Sequence, residues 1–160
     1  MRTILSLFFV TMALPVLAAG WSTQAAPSIG AQVEIPPGFS EAGSAENGAR
    51  LTFKPGSGAA VLTLWGMQMP KGGFEEAARM AMTRLAKGQW TVDPGGSAYY
   101  GNWYIVDASR PGGHLYEKAI VTCDGNAVAA ISMEYPDAEK PAIWPLLDRL
   151  GTSITAKGSC

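Results

Sequence analysis

The chain has 160 residues, with 12 Lys and Arg against 13 Asp and Glu, a formal charge of −1 and 16% charged residues in all. A balance this even, without clustered Lys or Arg, argues against nucleic acid or anionic lipid as the main partner, because both are recognised through concentrated positive charge. Nearly half the residues are apolar, and 19 Gly with 11 Pro describe a compact, turn-rich fold rather than a disordered chain.

The N-terminus reads as an export signal. Arg2 supplies the positive start, Ile4 to Leu17 is apolar apart from Ser6 and Thr11, and Val16, Leu17 and Ala18 offer a cleavage zone. The run is shorter than the roughly 20 apolar residues of a membrane span, and no Cys lies near the cut to carry a lipid. Residues 1–18 are therefore expected to be removed, leaving a periplasmic or secreted protein without a stable membrane anchor. Residues 19–30 are small, polar and unpatterned, and are expected to form a flexible leader. One α/β domain is expected over residues 31–156, followed by a tail at 157–160.

Gln32 to Ile35 alternates as a strand, stopped by Pro36-Pro37-Gly38, with Phe39 folding back as an anchor. Arg50 to Lys54 and Ala60 to Met67 form the arms of a hairpin about Pro55-Gly56-Ser57-Gly58. A helix follows Gly72-Gly73. Phe74, Ala77, Ala78, Ala81, Met82 and Leu85 fall on one stripe at helical spacing, with Glu75, Glu76, Arg79, Thr83 and Lys87 opposite and Met80 on the polar side. Glu75 and Glu76 suit the first turn, Lys87 the last, and Gly88 a left-handed cap.

Strand character returns from Ala98 to Ala108, turns at Pro111-Gly112-Gly113, and resumes from Leu115 to Cys123. Asp124-Gly125 is a type I′ hairpin signal leading into Asn126 to Glu134; that turn sets Val121 opposite Val128, Ile120 opposite Ala129 and Ala119 opposite Ala130. Three consecutive antiparallel strands result. A last helix carries Ile143, Leu146, Leu147 and Leu150. It is expected to start no earlier than about Ala142, because Pro145 is tolerated only in a first turn, and to stop at Gly151 before a short strand at Thr152 to Thr155.

This order of elements, with Ile35-Pro36-Pro37-Gly38-Phe39 closing the first strand, resembles the PsbP-like superfamily. That superfamily includes the extrinsic photosystem II protein, a Ran-binding nuclear import factor and many small exported bacterial proteins. The resemblance implies an α+β fold, a layered α/β/α sandwich around a mainly antiparallel sheet. It carries no shared catalytic residues and favours a partner-binding or accessory role.

Chemistry-bearing residues are few. His114 is the sole histidine, reads as an exposed turn residue, and has no Gly-x-Ser-x-Gly elbow to serve. Glu75 with Glu76, and Asp137 with Glu139, sit at helix starts, where the helix dipole accounts for them. Cys123 and Cys160 leave two readings open, a bridge tying the C-terminus to the sheet or a small strand residue and a separate thiol. Trp65, Met67 and Met69 alternate on one face; soft thioethers suit Cu(I), and the Met-x-Met spacing is similar to periplasmic copper chaperones of the small β-barrel kind. Core packing explains the same spacing.

The leading expectation is a non-enzymatic exported domain, without a cofactor, that binds a protein partner through Trp65, Tyr99, Tyr100, Trp103 and Tyr104. An immunity protein or an envelope accessory factor fits that description. Cu(I) binding at Met67 and Met69, and an enzyme with no recognisable motif acting on a small molecule, are the alternatives.

Overall fold

Most strands pair with a neighbour in sequence across a short turn, and the resulting sheet decides where both helices sit. The computed structural model describes residues 20–45, 47–158 and 160. The expected export signal, residues 1–18, lies outside them. The strands are β1 (Ser22–Ala26), β2 (Ala31–Ile35), β3 (Phe39–Ser44), β4 (Arg50–Pro55), β5 (Val61–Gln68), β6 (Thr91–Tyr100), β7 (Trp103–Arg110), β8 (Gly113–Thr122), β9 (Ala127–Pro136) and β10 (Thr155–Ala156). The helices are α1 (Gly73–Lys87) and α2 (Lys140–Ser153).

Seven strands form one antiparallel sheet in the order β3-β4-β5-β9-β8-β7-β6. A small second sheet, β1-β2-β10, lies with α2 on one side; α1 covers the other. The fold is α+β, a helix, a sheet, and a mixed third layer.

Alternation assigns the faces. Leu62, Leu64, Ile131 and Met133 point toward α2 and meet Ile143, Leu147 and Leu150, with Val33 and Ile35 of β2 completing the cluster. Tyr104, Val106, Leu115, Ala119, Val128 and Ala130 point the other way and receive Phe74, Ala77, Ala81 and Leu85. The expected α1 stripe is thus the buried one, although Ala78 and Met82 at its margin are only half-buried. The β8–β9 register matches the expected one, with Val121 opposite Val128, Ile120 opposite Ala129 and Ala119 opposite Ala130. Positive φ at Asp124 and Gly125, with the Asn126 N–H donating to the Cys123 carbonyl at 3.0 Å, gives the type I′ turn its geometry.

Several expectations are corrected. The leader expected over residues 19–30 is not loose where it is described: β1 pairs residue by residue with β2, and Ala26 and Ile29 are buried. The stretch from Ala98 to Ala108 is two strands rather than one, turning at Gly101-Asn102 with Tyr100 opposite Trp103, so the meander has four strands. Gly88 is not left-handed; Gln89 is, at φ 59°, while Gly88 is confined by the Trp90 ring, 2.9 Å from where a β-carbon would sit. Helix α2 begins at Lys140, with Pro141 in its first turn and Pro145 inside it. It also runs through Gly151, which does not terminate it: the Tyr116 hydroxyl occupies the space a side chain there would need. The last strand is shorter and later than expected and pairs with β2.

Cys123 and Cys160 are joined by a disulfide, Cα–Cα 5.0 Å, which secures the C-terminus beside Gly30. The Lys157 N–H donates to the Gly30 carbonyl at 2.8 Å on the same seam.

Candidate interaction surface

Helix α1 is narrower than the sheet beneath it, and small residues at the contact (Ala77, Ala81, Ala119 and Ala130) let it sit close without spreading sideways. Its two flanks remain open. Toward β6 lies a cleft of about 510 Å³, with Ala78 and Met82 on the helix side, Ala98 and Tyr99 on the strand side, and Tyr104 and Val106 among its lining. Irregularity in β6 shapes it: the β6–β7 register slips between Asp93 and Ala98, and the Ser97 hydroxyl accepts the Asp107 N–H at 3.1 Å within the bulge. Toward β4 lies a second groove of about 420 Å³, lined by Asn47, Arg50, Trp65, Arg84 and Ser132 among others.

Between these openings runs a buried polar network. Glu117, fully buried on β8, accepts hydrogen bonds from Arg84 Nη2 at 2.7 Å to each carboxylate oxygen and from the Tyr104 hydroxyl at 2.9 Å. Arg84 in turn lies over the Trp65 ring, 5.6 Å from its centroid. Burial first, and the neighbouring Glu117 charge second, push the Tyr104 phenol far above its ordinary pKa, so it stays a donor. A buried carboxylate is stable here because each oxygen is satisfied.

The expected partner-binding residues separate into three groups. Tyr99 and Tyr100, at the tip of the β6–β7 hairpin, are exposed, Tyr100 by 56%. Tyr99 stacks on Phe74 at 6.0 Å, while Tyr100 stacks on Trp103 at 4.3 Å, and Lys118 lies over Trp103 at 5.4 Å. Burial lowers the Lys118 pKa. Trp103 and Trp65 are half-buried. Tyr104 corrects the expectation: at 1% exposure, with its hydroxyl committed to Glu117, it is a core residue and not a surface anchor. Its phase gave the signal, since Tyr104, Val106 and Ala108 alternate toward α1.

Met67 and Met69 are half-buried and pack, with Trp65, against the apolar cluster beneath α1. His114 corrects its expectation too. It lies within β8, half-buried, stacked on Tyr135 at 5.3 Å, with Nε2 2.9 Å from Asp137 Oδ1. Glu139 does not cap its own helix but accepts the Ala59 and Ala60 N–H groups ahead of β5. Asp93 and Asp107 face each other across β6 and β7; burial, and then the Asp93 charge, raise the Asp107 pKa. Among the described residues no cluster of three or more His, Cys, Asp or Glu side chains is gathered as for a metal. None of the described helices is long and apolar enough to cross a membrane. One exposed aromatic went unanticipated, Trp144 on the outer side of α2 beneath the Lys140 ammonium.

No protein-family model and no curated protein matches the sequence. Solved structures do match in shape. The Ran-binding protein Mog1p of Saccharomyces cerevisiae superposes with a TM-score of 0.62 at 10% identity, covering 85% of this chain and 95% of its own. The cyanobacterial PsbP of Synechocystis sp. PCC 6803 superposes with a TM-score of 0.59 at 11% identity, covering 89% and 95%. The chain has the PsbP/Mog1 fold. At these identities the likeness carries the fold alone, and in this chain the PsbP/Mog1 sheet displays its aromatic tip and both α1 flanks to solvent.

Proposed function

We propose that this PsbP/Mog1-fold chain is an exported, non-catalytic domain that binds a protein partner through the tip of the β6–β7 hairpin, in the role of an immunity or envelope accessory protein. One observation carries the reading: Tyr99 and Tyr100 stand exposed on opposite faces of an edge strand, each backed by a buried or half-buried aromatic ring. Rings held in place by stacking lose little freedom on docking, and for that reason Tyr and Trp dominate interface energetics. The adjoining 510 Å³ cleft offers apolar depth beside them. That a protein of this fold is described as Ran-binding adds support, since the architecture accommodates protein recognition.

Photo-crosslinking in the native cell tests it. Benzoylphenylalanine at positions 99 and 100 is expected to trap one discrete partner, while the same group at exposed Glu41 on β3, the opposite sheet edge, traps none. No adduct at 99 or 100, or the same adducts at Glu41, overturns the proposal. Export is tested by mass spectrometry of the extracytoplasmic fraction, where the mature chain is expected to begin next to Ala18.

A further inference from the structure

The groove between α1 and β4 is unlike the apolar cleft on the other flank. Trp65 forms its apolar surface; the Arg84 guanidinium from α1 lies over that ring, and Arg50, the direct partner of Trp65 across the β4–β5 ladder, lines the same groove. Arg84 is tethered from behind. Both Glu117 oxygens take the same nitrogen, Nη2, so Nε and Nη1 make no hydrogen bond among the described residues, and the side chain is half-exposed. A guanidinium already fixed by a buried carboxylate has lost its rotamer freedom, and presents its remaining N–H groups as preorganised donors for an anion. Arg50 is exposed and has no carboxylate partner among the described residues. Beyond Arg84 the surface continues along α1 past Met80 and Thr83 to Lys87. In a chain of net charge −1 this flank places Arg50 and Lys87 on either side of Arg84, whose own charge is matched from behind by Glu117.

We propose that this groove receives an acidic segment of the protein partner, with a Glu or Asp carboxylate held between Arg50 and Arg84 and a neighbouring apolar side chain laid against Trp65 and Met80. The inference rests on the protein-binding reading and adds the partner's chemistry to it. Charge complementarity selects the occupant: planar N–H donors match a carboxylate, and the exposed Met80 beside them favours an apolar neighbour over a wholly hydrophilic ligand.

The experiment titrates the ¹⁵N-labelled mature protein with an acetylated, amidated octapeptide holding two adjacent glutamates between phenylalanine and leucine, and with its all-glutamine counterpart. The Trp65 indole N–H and Arg84 Nε–H resonances are expected to shift with the glutamate peptide. Affinity is expected to fall about tenfold for the glutamine peptide, and about tenfold in Arg50→Ala, while Arg50→Lys loses less. Arg50 is chosen because it is exposed on its strand, whereas truncating Arg84 would orphan Glu117; an unchanged melting temperature checks the fold. Glu46, outside the described residues, is controlled by Glu46→Gln, in which the preference for the glutamate peptide is expected to persist. Shifts that are absent, equal for the two peptides, or indifferent to Arg50→Ala overturn the proposal. Indole-3-acetate binding as tightly as the peptide overturns the acidic segment as occupant. Each of these failures leaves crosslinking at positions 99 and 100 untouched, so the two readings fail separately.

Discussion

The two faces of the seven-stranded sheet are closed by different means. Against α2, aliphatic side chains from β5 and β9 meet Leu147 and Leu150, and the small sheet adds Val33 and Ile35, so the seal is made by apolar area and by a disulfide that ties the C-terminus down. Against α1, an alanine-rich helix rests on the sheet with a carboxylate buried beneath it and open grooves on both sides. The first face supplies stability, because apolar burial is proportional to area and needs no partner. The second supplies surface: small residues seat the helix close to the sheet without requiring it to spread sideways.

Matched cavities test this contrast most strongly. Leu150 and Leu85 are both almost wholly buried and both lie on helices. Leu150→Ala is expected to cost about 3–5 kcal/mol in urea unfolding, because the surrounding aliphatic layer has nowhere to collapse; Leu85→Ala is expected to cost about 2–3 kcal/mol, because a helix with free flanks settles into the space. Equal costs would mean that the α1 side is as tightly held as the α2 side.

The covalent part of the α2-side seal is expected to come next. The bridge spans 37 residues of sequence, which in the chain-entropy account corresponds to about 3–4 kcal/mol, so Cys160→Ser, or reductant added to the native protein, should lower stability by about that amount. A smaller loss would assign the ordering of the C-terminus to β10 and the Lys157 hydrogen bond instead.

Arg84→Met probes the α1 side directly. Glu117 would then be a buried charge left with Tyr104 alone, at an expected cost of about 2–4 kcal/mol, moderated because Arg84 is half-exposed and water can follow it. Adding Glu117→Met and Tyr104→Phe is expected to recover most of that loss, since an apolar replacement removes every orphaned group together. Failure to recover would show that the network also sets the helix position.

A smaller effect belongs to the margin of the α2-side face, where Asp107 shares a pocket with Asp93, Lys140 and Trp144. Asp107 titrates higher in the folded state than in the unfolded one, chiefly through burial, so over the window from the usual carboxylate range up to its raised value the native state binds more protons. Stability therefore falls as pH rises through that window. Asp107→Asn is expected to raise the melting temperature at pH 7 and to lose that advantage at pH 3.

Much of this arrangement was legible in the sequence, and the gaps have physical causes. Asp124-Gly125 selected both a turn type and a register, so the β8–β9 pairing followed to the residue. Phase alone would have placed Glu117, between Leu115 and Ala119, on the buried side, yet its acceptors are satisfied by Arg84 and Tyr104, and contacts over 33 and 13 residues leave no local signature. β1 was missed because its small polar residues earn their order from hydrogen bonding to β2 rather than from burial. The Gly101-Asn102 turn was hidden by aromatics running unbroken on both sides of it. Neither groove was readable, since each is the space left where α1 ends short of β4 or β6.

The smallest expected effect asks whether anything covers the outside of α1. Met80 lies at about 105° from the centre of the buried stripe by helical geometry and is 47% exposed, between Arg79, Thr83, Arg84 and Lys87. A side chain in that position already has its outer half in water, so Met80→Lys exchanges one flexible chain for another of similar length, and its stem can lie along the helix while the ammonium reaches solvent. The expected change is within about 0.5 kcal/mol, read as an unshifted urea midpoint and slope. A loss of 2 kcal/mol or more would mean that a further layer, from this chain or a second copy, packs on α1. In that case the helix would be closed on both sides, and the contrast between a sealed α2-side face and an open α1-side face would no longer hold.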